Sequence, residues 1–472
     1  MPFELRRAIR ERDGEGAELW CRYLNPQMAR VVHTIGLDRR WARAEGAYLF
    51  DDTGDRYLDF LTGFGAFGIG RGHPSVRRAL HEALDSELAD LVQMDTPLVA
   101  GLFAEALLKR APHLDRVYMC NSGSEAVEAA LKFARYSTGR SRVLYCDHAF
   151  HGLTAGALSV NGGREFRKGF GPLLPGTEVP FGDLGALQRE LSRGDVAALI
   201  IEPVQGKGVR VVPDGFLVAA TQLLHRRGAL LICDEVQAGA GRTGRFFSYE
   251  HDGAEPDLVT VAKTLSGGFV PVAATLGTDR VFKKVYSSMD RVLVHDTTFG
   301  TNLMAMVAGL ATLAVLEEDG LIENAALRGE AIAAELKSVA SRYEMVKEVR
   351  GRGLLVGIEL GRPRSRGPRA RWELLTRVRR GLVTEMIVVD LFRKHRILTQ
   401  TAADNMDVLK LLPPLIISDS DISWFMDGFC EVMDSIHASS RPVWRFGWAL
   451  ASRAATPSRP ATPKSAGPSP RG

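Results

Sequence analysis

Cysteine is scarce in this sequence, and no two cysteines stand at the spacing of a metal-binding or redox pair. The 472 residues include five cysteines, which are Cys21, Cys120, Cys146, Cys233 and Cys430. An odd number of widely separated cysteines argues against a disulfide framework, and the absence of a Cys-x-x-Cys pair argues against a zinc or redox centre. We therefore predict reduced thiols, no metal site and a cytoplasmic location.

Long apolar runs and a strong net charge are also missing. No stretch reaches the roughly 18 apolar residues of a membrane span, and the charged residues 1–20 lack the apolar core of a signal peptide. The net charge of +4, without aromatic residues interleaved among the basic ones, gives no reason to expect nucleic acid as a partner. The remaining composition, 45% hydrophobic and 25% charged, predicts a large globular domain with a smaller companion.

The middle of the chain alternates helical patterns with short aliphatic runs. These runs include residues 142–146, 197–201 and 229–233. Strands that alternate with helices imply a mostly parallel, buried sheet. Ligands gather at the carboxyl ends of the strands in such sheets. We therefore expect the functional residues at these strand ends.

The flanking segments have simpler patterns. Residues 47–60 predict a β-hairpin, and the glycine-rich residues 62–70 suit a backbone that passes close to a ligand. After residue 320 we expect helices at 321–343 and 420–436 and strands at 353–360 and 411–417.

Two arginine-rich segments lie near the end of the chain. Residues 362–380 contain eight arginines and no lysine, and we favour a solvated face or loop over a binding patch. Residues 441–453 mix arginine with two tryptophans; we favour packing on the body of the protein over contact with a membrane surface or a partner. Residues 454–472, rich in proline, serine, alanine and threonine, predict disorder.

Two apolar runs lead into residues that could take part in catalysis. Lys263 follows the run at residues 257–262 and precedes a small-residue turn. A lysine becomes a nucleophile when burial or a neighbouring cation lowers its pKa, although most lysines after such runs are solvated strand ends. Asp234 ends a second buried run at residues 230–234. An acid and an amine at two strand ends make the catalytic interpretation the stronger one.

A third motif, residues 121–126, precedes a helical pattern. Hydroxyls and free amides at a helix N-terminus can bind a phosphate, because the first amides have no intrahelical acceptor. The alternative is an ordinary helix cap formed by serine or asparagine. If this motif were the only signal in the sequence, the helix cap would be the better interpretation.

Together these motifs resemble the class-III aminotransferases, the ornithine, acetylornithine, 4-aminobutyrate and putrescine branch of the fold-type I enzymes that use pyridoxal 5′-phosphate. The resemblance runs from about residue 43 to 436. It rests on Asn121-Ser122-Gly123-Ser124-Glu125-Ala126, Phe150-His151-Gly152, Glu202-Pro203-Val204-Gln205-Gly206, Asp234-Glu235-Val236-Gln237, Gly241-Arg242-Thr243-Gly244, Lys263 and His295-Asp296-Thr297-Thr298-Phe299-Gly300.

The resemblance implies an α/β fold with two domains. A large domain at residues 76–325 would contain a mostly parallel seven-stranded sheet flanked by helices. A smaller α+β domain would combine residues 1–75 with residues 326–440. Residues 441–472 would form the basic, aromatic segment and the disordered tail.

The resemblance also implies three catalytic residues. Lys263 would hold the cofactor as a Schiff base and, once the substrate amine displaces it, move a proton between the substrate carbon and C4′ of the cofactor. Asp234 would pair with the pyridine nitrogen and keep it protonated. Glu202 matches a residue that, in relatives, helps the pocket switch between two substrates.

The same resemblance implies the cofactor-binding residues. They are Ser122, Gly123 and Ser124 at the phosphate, Phe150 and Val236 on the two ring faces, Gln237 at the 3′-oxygen, and His151 beside them in a structural position. Thr298 matches a threonine that reaches the phosphate of the neighbouring subunit, so the resemblance implies a homodimer with shared active sites.

The chain departs from the family pattern where substrate binds. Leu153 replaces an arginine, and Lys410 replaces the arginine that usually clamps a substrate carboxylate. Lysine cannot reproduce the bidentate fork of arginine. Lys207 stands where relatives commonly have glutamate, and Phe64 stands where ornithine-type relatives have tyrosine.

These departures favour an amine substrate over an α-amino acid. We predict an aminotransferase acting on a primary ω-amine such as a putrescine-like diamine, or on an aldehyde of lipid or specialised metabolism. A small 2-oxo acid would be the other substrate, with Lys410 still a candidate for its carboxylate. An ornithine- or acetylornithine-type aminotransferase, an aminomutase and a non-catalytic cofactor-binding protein are the alternatives.

Overall fold

The protein is described by a computed structural model that covers residues 3–92, 94–403 and 405–455. The strands β1 to β15 are Trp41–Glu45, Tyr48–Asp51, Arg56–Asp59, Arg116–Cys120, Arg142–Cys146, Gly176–Val179, Val196–Ile201, Leu230–Asp234, Leu258–Val261, Ala273–Gly277, Val346–Arg352, Leu355–Leu360, Ile397–Leu398, Gln400–Thr401 and Val408–Leu411.

The helices surround these strands. The α-helices α1 to α18 are Leu5–Glu11, Gly16–Tyr23, Pro26–Ile35, Thr62–Gly65, Pro74–Asp85, Leu98–Leu108, Gly123–Thr138, Ala155–Ser159, Arg164–Arg167, Leu184–Leu191, Phe216–Arg226, Asp279–Val285, Leu303–Glu318, Leu321–Ala340, Arg366–Val378, Leu382–His395, Asp419–Ala438 and Arg441–Ala455. Short 3-10 helices are Ser248–Asp252, Lys263–Ser266 and Met289–Arg291. Within the described ranges, no helix is long and apolar enough to cross a membrane.

A seven-stranded sheet forms the centre of the protein, with the strand order β4-β10-β9-β8-β7-β5-β6. The strands from β9 to β6 are parallel, and β10 runs antiparallel to both of its neighbours. All residues of β5, β7 and β8 are buried, as expected of strands covered by helices on both faces. The predicted fold class and strands 142–146, 197–201 and 229–233 are confirmed.

Two smaller sheets lie outside this centre. One has the order β1-β2-β3-β13 and the other the order β11-β12-β15-β14. The first sheet contains the predicted hairpin, β2 with β3, and joins it to β13 near residue 397. Segments from both ends of the chain therefore share one sheet. The domain boundaries near residues 75, 325 and 440 stay predictions.

One predicted strand was wrong in position. We expected a strand at 411–417, but β15 spans Val408–Leu411 and the chain after it is irregular. Pro413 and Pro414 lack the backbone N–H that a strand must donate, which ends the ladder. The apolar pattern was misleading because Leu412, Leu415 and Ile417 are buried without being in a strand.

The two arginine-rich segments are both helical. Helix α15 buries Trp372 and Leu375, so the segment 362–380 contains an amphipathic helix. The loop half of that expectation was wrong, but the solvated face is present, since all arginines of the segment except Arg371 are exposed. Helix α18 contacts α3 and α17 and buries Val443 and Phe446, which confirms the predicted packing on the body. Residues 456–472, most of the predicted disordered tail, lie outside the described residues.

Candidate active site

Three predicted catalytic residues end neighbouring strands of the central sheet. Asp234 is the last residue of β8, and Glu202 follows β7 directly. Lys263 begins the short 3-10 helix two residues after β9. Because β7, β8 and β9 are adjacent and parallel, their carboxyl ends meet at one edge of the sheet. The structure therefore brings these three residues together.

The carboxylate of Asp234 is buried and fully engaged. Its Oδ1 accepts hydrogen bonds from the backbone N of Val236 and from Oγ1 of Thr260, each at 3.0 Å. Its Oδ2 lies 2.7 Å from Nδ1 of buried His151. A carboxylate can only accept, so the proton is on Nδ1. This set of bonds fixes the direction of the Asp234 side chain.

The pKa of His151 is raised by this arrangement. Burial acts to lower the pKa, but the hydrogen bond and charge of Asp234 and the charge of Glu202 outweigh it. The imidazole therefore tends to carry its positive charge beside Asp234. Sequence reasoning placed His151 in a structural position, and its direct contact with Asp234 was not foreseen.

Glu202 links two loops at the same sheet edge. Its Oε2 accepts from the backbone N of Phe150 at 3.1 Å, and its Oε1 accepts from the backbone N of Gly206 at 2.8 Å. Burial raises the pKa of Glu202, partly offset by His151 and reinforced by Asp234. The side chain therefore holds the backbone of Phe150 in place at the strand ends.

Lys263 has an unusual backbone and a shifted pKa. Its φ angle of 53° lies in the left-handed region, which residues other than glycine rarely adopt. Such backbone strain is concentrated at functional sites. Burial lowers the pKa of the amine, although the charges of Asp234 and Glu202 act in the opposite direction. A lowered pKa increases the neutral, nucleophilic form of the amine.

Helix α7 presents its N-terminus beside these residues. Ser122 caps the helix, and the Glu125 carboxylate accepts the backbone N–H groups of Asn121 and Ser122. The remaining first-turn amides of Gly123 and Ser124 have no intrahelical acceptor. A Cβ at Gly123 would lie 2.8 Å from Cγ1 of Val236, so only glycine fits there. Ser122 thus forms a cap, while a cradle is left to Gly123 and Ser124.

Gln237 connects Phe64 to Lys410. The Gln237 Nε2 donates to the carbonyl oxygen of Phe64 at 2.9 Å, and its Oε1 accepts from the Lys410 amine at 2.9 Å. The same amine donates to the carbonyl oxygen of Gly206 at 2.7 Å. Burial, with smaller effects from Lys263 and Arg242, lowers the pKa of Lys410 to about 7, against the charge of Glu202.

The other predicted site residues are more accessible. Phe64, Leu153 and Thr298 are exposed in the single chain. The backbone N of Leu153 donates to Oγ of Ser124 at 3.3 Å, so Leu153 lies beside the start of α7. The backbone carbonyl of Phe64 is linked to Lys410 through the Gln237 amide. Among the described residues, no side-chain hydrogen bond or ion pair joins Thr298 to the strand ends.

Sequence reasoning missed two residues that hold this site. Thr260 donates to Asp234, and the two are paired neighbours in the register of β9 and β8. Asn161 accepts from the backbone N of His151 at 2.6 Å and donates to the carbonyl oxygen of Gly152 at 2.8 Å. Thr260 could have been found from the pairing of two strands that both end in functional residues. Asn161 carries no such signal.

Known proteins resemble the chain over most of its length. A family model described as aminotransferase class-III matches residues 31–433. The chain belongs to the class-III aminotransferases. Aminotransferase PigE from Serratia sp. is 36% identical over 449 residues, covering 88% of this chain and 52% of that protein. This chain therefore spans about half the length of PigE. Putrescine aminotransferase from Pectobacterium atrosepticum is 37% identical, covering 84% of this chain and 83% of that protein.

Solved structures show the same fold. The ornithine aminotransferase from Toxoplasma gondii, whose structure is described with partial occupancy of pyridoxal 5′-phosphate, has a TM-score of 0.80 at 27% identity. The match covers 93% of this class-III chain and 99% of that one. The predicted family, the fold-type I architecture, the aminotransferase class and pyridoxal 5′-phosphate as the cofactor are confirmed.

The residues at the strand ends fit this cofactor chemically. A buried carboxylate is present for a protonated ring nitrogen, and a buried amine with a lowered pKa for an aldehyde. First-turn amides of α7 suit a phosphate. The absence of a Cβ at Gly123 allows the side chain of Val236 to pack against this turn.

Proposed function

We propose that this class-III enzyme transfers an amino group between a primary ω-amine, such as a diamine, and a small 2-oxo acid in the cytoplasm. The observation that carries the proposal is the convergence of Lys263, Asp234 and Glu202 at the ends of three adjacent parallel strands. Reduced cysteines fit the location, since all five are free. The name of the putrescine aminotransferase relative supports an amine substrate.

The cofactor supplies an electron sink for the negative charge that develops on the substrate carbon. Asp234 would hold a proton at the ring nitrogen, and the hydrogen bond from His151 would keep the Asp234 side chain oriented toward it. The Lys263 amine would bind the cofactor aldehyde and accept or return the proton of the substrate carbon. Phe150 and Val236 would enclose the ring, and Gln237 would meet its 3′-oxygen.

Substrate selection would depend on Lys410 and Glu202. The Lys410 amine would bind the carboxylate of the 2-oxo acid in its protonated form, since its two partners, the carbonyl of Gly206 and the amide of Gln237, are neutral acceptors. Exposed Phe64 and Leu153 would offer apolar walls to the carbon chain of an amine. An ornithine-type activity is the second candidate, supported by the fold match with ornithine aminotransferase.

We also propose a homodimer in which each subunit completes the other's site. Thr298 and Phe299 are exposed in the single chain, together with the apolar side chains of Val292, Leu293 and Val294. Apolar surface of this kind is typical of a protein interface. Thr298 would reach the cofactor phosphate of the partner subunit.

Hybrid dimers test the shared site. Lys263→Ala and Thr298→Asp each inactivate their own homodimer in this proposal. A hybrid of the two has one site with both wild-type residues, so mixing and reassembling the variants should restore activity to a substantial fraction of wild type. No recovery in mixed dimers, with exchange verified by mass, would contradict shared sites.

Absorbance of the cofactor-loaded enzyme tests the activity. The band of the bound cofactor should change when the donor amine is added and return when a 2-oxo acid follows, whereas Lys263→Ala should lack the starting band. A diamine that changes the band while ornithine does not would support the ω-amine substrate, and the reverse would support the ornithine-type activity. Isomerisation without an external 2-oxo acid would indicate an aminomutase. A band that no amine changes would overturn the proposal.

A further inference from the structure

The phenyl ring of Phe150 rests against a second aromatic ring. The backbone of Phe150 is held by Glu202, but that bond leaves the side chain free to rotate. The ring centroid of Phe150 lies 5.4 Å from that of Phe166, with a 69° angle between the planes. This edge-to-face geometry is a favourable one for aromatic pairs. The orientation of the Phe150 ring therefore depends on the position of Phe166.

Phe166 belongs to helix α9, a single turn of four residues. A helix this short is not stable by itself, because nucleation fixes several residues for few hydrogen bonds. Its position must come from contacts with the rest of the protein. At one end of the turn, Arg167 donates to the Tyr145 hydroxyl at 2.6 Å. At the other end, Glu165 forms an ion pair with Lys207.

Lys207 contacts two residues of this turn, Glu165 and Phe166. Its ammonium donates to Oε1 of Glu165 and lies 4.4 Å from the centroid of the Phe166 ring. A cation at this distance from an aromatic face is attracted by the ring. Lys207 therefore fixes Phe166 directly, through its ring, and indirectly, through Glu165.

The two partners of this ion pair differ in burial. The side chain of Lys207 is 11% exposed and that of Glu165 is 47% exposed. A largely buried ammonium needs its partner, because an unpaired buried charge is costly. Hydrogen bonding by Lys207 also lowers the pKa of Glu165, against the effect of burial. A Cβ at Gly163 would lie 2.6 Å from both charged groups, so the glycine makes room for the pair.

We infer that Lys207, Glu165 and Phe166 form a brace that sets the Phe150 ring against the cofactor. This inference rests on the proposed function, in which Phe150 covers one face of the cofactor ring. Lys207 and Glu165 are positioning residues, since they act through Phe166 and Phe150. Lys207 also follows Gly206, whose backbone N donates to Glu202, so the brace joins the loop after β7 to the loop after β5. The lysine that departs from the family pattern thus has a partner in this chain.

Charge exchange tests the brace. Lys207→Glu places two carboxylates together, and we expect it to raise the dissociation constant of pyridoxal 5′-phosphate by about tenfold, a change of about 1.4 kcal/mol. In the cofactor-free protein, amide hydrogen exchange at residues 150–153 should become faster. The double variant Glu165→Lys/Lys207→Glu restores the ion pair and should recover most of both losses, although its carboxylate now faces the Phe166 ring.

Lys168→Glu is the matched control. Lys168 is exposed and directly follows α9, so the same charge change should leave the dissociation constant within about twofold of wild type. If Lys207→Glu fails to fold, Glu165→Gln removes the charge of the more exposed partner and should give the same effects more weakly. Variants at 207 and 165 that match the control, or a double variant no better than Lys207→Glu, would overturn the brace. Wild-type protein that fails to bind the cofactor would instead overturn the proposed function.

Discussion

The Nδ1 nitrogen of His151 lies 2.7 Å from Oδ2 of Asp234, and both side chains are buried. The two residues are 83 positions apart in the sequence. The pair adds a hydrogen bond to Oδ2 of a buried carboxylate whose Oδ1 already accepts from Val236 and Thr260. It also leaves the Nε2 nitrogen of His151 buried without a partner among the described residues. The stability and the chemistry of the site both depend on this pair.

His151→Gln should change stability in a pH-dependent way. The pKa of folded His151 is raised above 6.5, so its stabilising contribution is fully present below about pH 6.5 and is lost as the pH rises through the folded pKa. The difference in free energy of unfolding between wild type and variant should therefore shrink with rising pH. Chemical denaturation across a pH series measures it.

His225→Gln provides a comparison for that series. His225 pairs with Asp257 at 2.9 Å, but its side chain is 45% exposed. Solvent screening should make its effect on stability smaller at every pH. Equal effects of the two substitutions would show that burial of the His151 pair is unimportant.

Lys410→Met should selectively weaken binding of the 2-oxo acid. Methionine keeps the volume of the side chain and removes the charge that we assign to the substrate carboxylate. A charge-assisted hydrogen bond contributes roughly 1.5–3 kcal/mol, so the KM for the 2-oxo acid should rise about tenfold or more. The KM for the amine serves as the internal control and should stay within about twofold.

The same residue should set a pH dependence. Because the pKa of Lys410 is lowered to about 7, its cationic form predominates below that pH and its neutral form above it. The kcat/KM for the 2-oxo acid should fall as the pH rises through about 7 in wild type, and this fall should be absent in Lys410→Met. An identical pH profile in both proteins would assign the titration to another group.

Glu235→Gln should remove a pH-dependent loss of stability. Burial raises the pKa of Glu235 from 4.5 to about 7, despite hydrogen bonds from Ser248 and Tyr249 that act to lower it. The unfolded chain releases this proton near pH 4.5, while the folded protein keeps it to about pH 7. Wild-type stability therefore falls with rising pH in that window.

The glutamine variant lacks this ionisation, so its stability relative to wild type should grow by up to about 3 kcal/mol between pH 4.5 and 7. The amide oxygen of the glutamine can still accept from the backbone N of Tyr249, and its nitrogen, in place of Oε2, can donate to the Ser248 hydroxyl. If the free energy of unfolding changes with pH in parallel in the two proteins, the titrating proton is not on Glu235.

The two faces of helix α18 should respond differently to truncation. Phe446 is 7% exposed, whereas Trp444 is 65% exposed. Phe446→Ala should cost about 3 kcal/mol in free energy of unfolding because it removes a buried ring, and Trp444→Ala should cost less than about 1 kcal/mol. Denaturant titration measures both values. A large cost for Trp444→Ala would mean that a second chain covers this tryptophan in solution.

The sequence by itself determined the strand–helix alternation, the strands that end at Asp234 and just before Lys263, and the helix start at residues 121–126. These features depend on local hydrophobic periodicity and on capping and turn residues, which act over a few positions. The family resemblance added the cofactor. The same local signals misplaced a strand at 411–417, since burial alone does not distinguish a strand from an irregular segment that contains two prolines.

Only the tertiary structure decided which side chains meet. The contacts of His151 with Asp234, Gln237 with Lys410, and Glu165 with Lys207 join loops that follow different strands. Such pairs depend on the order of strands in the sheet and on the path of the loops, which local periodicity does not encode. The pKa shifts follow from the same cause, because burial and charge at the sheet edge exist only once these strands lie side by side.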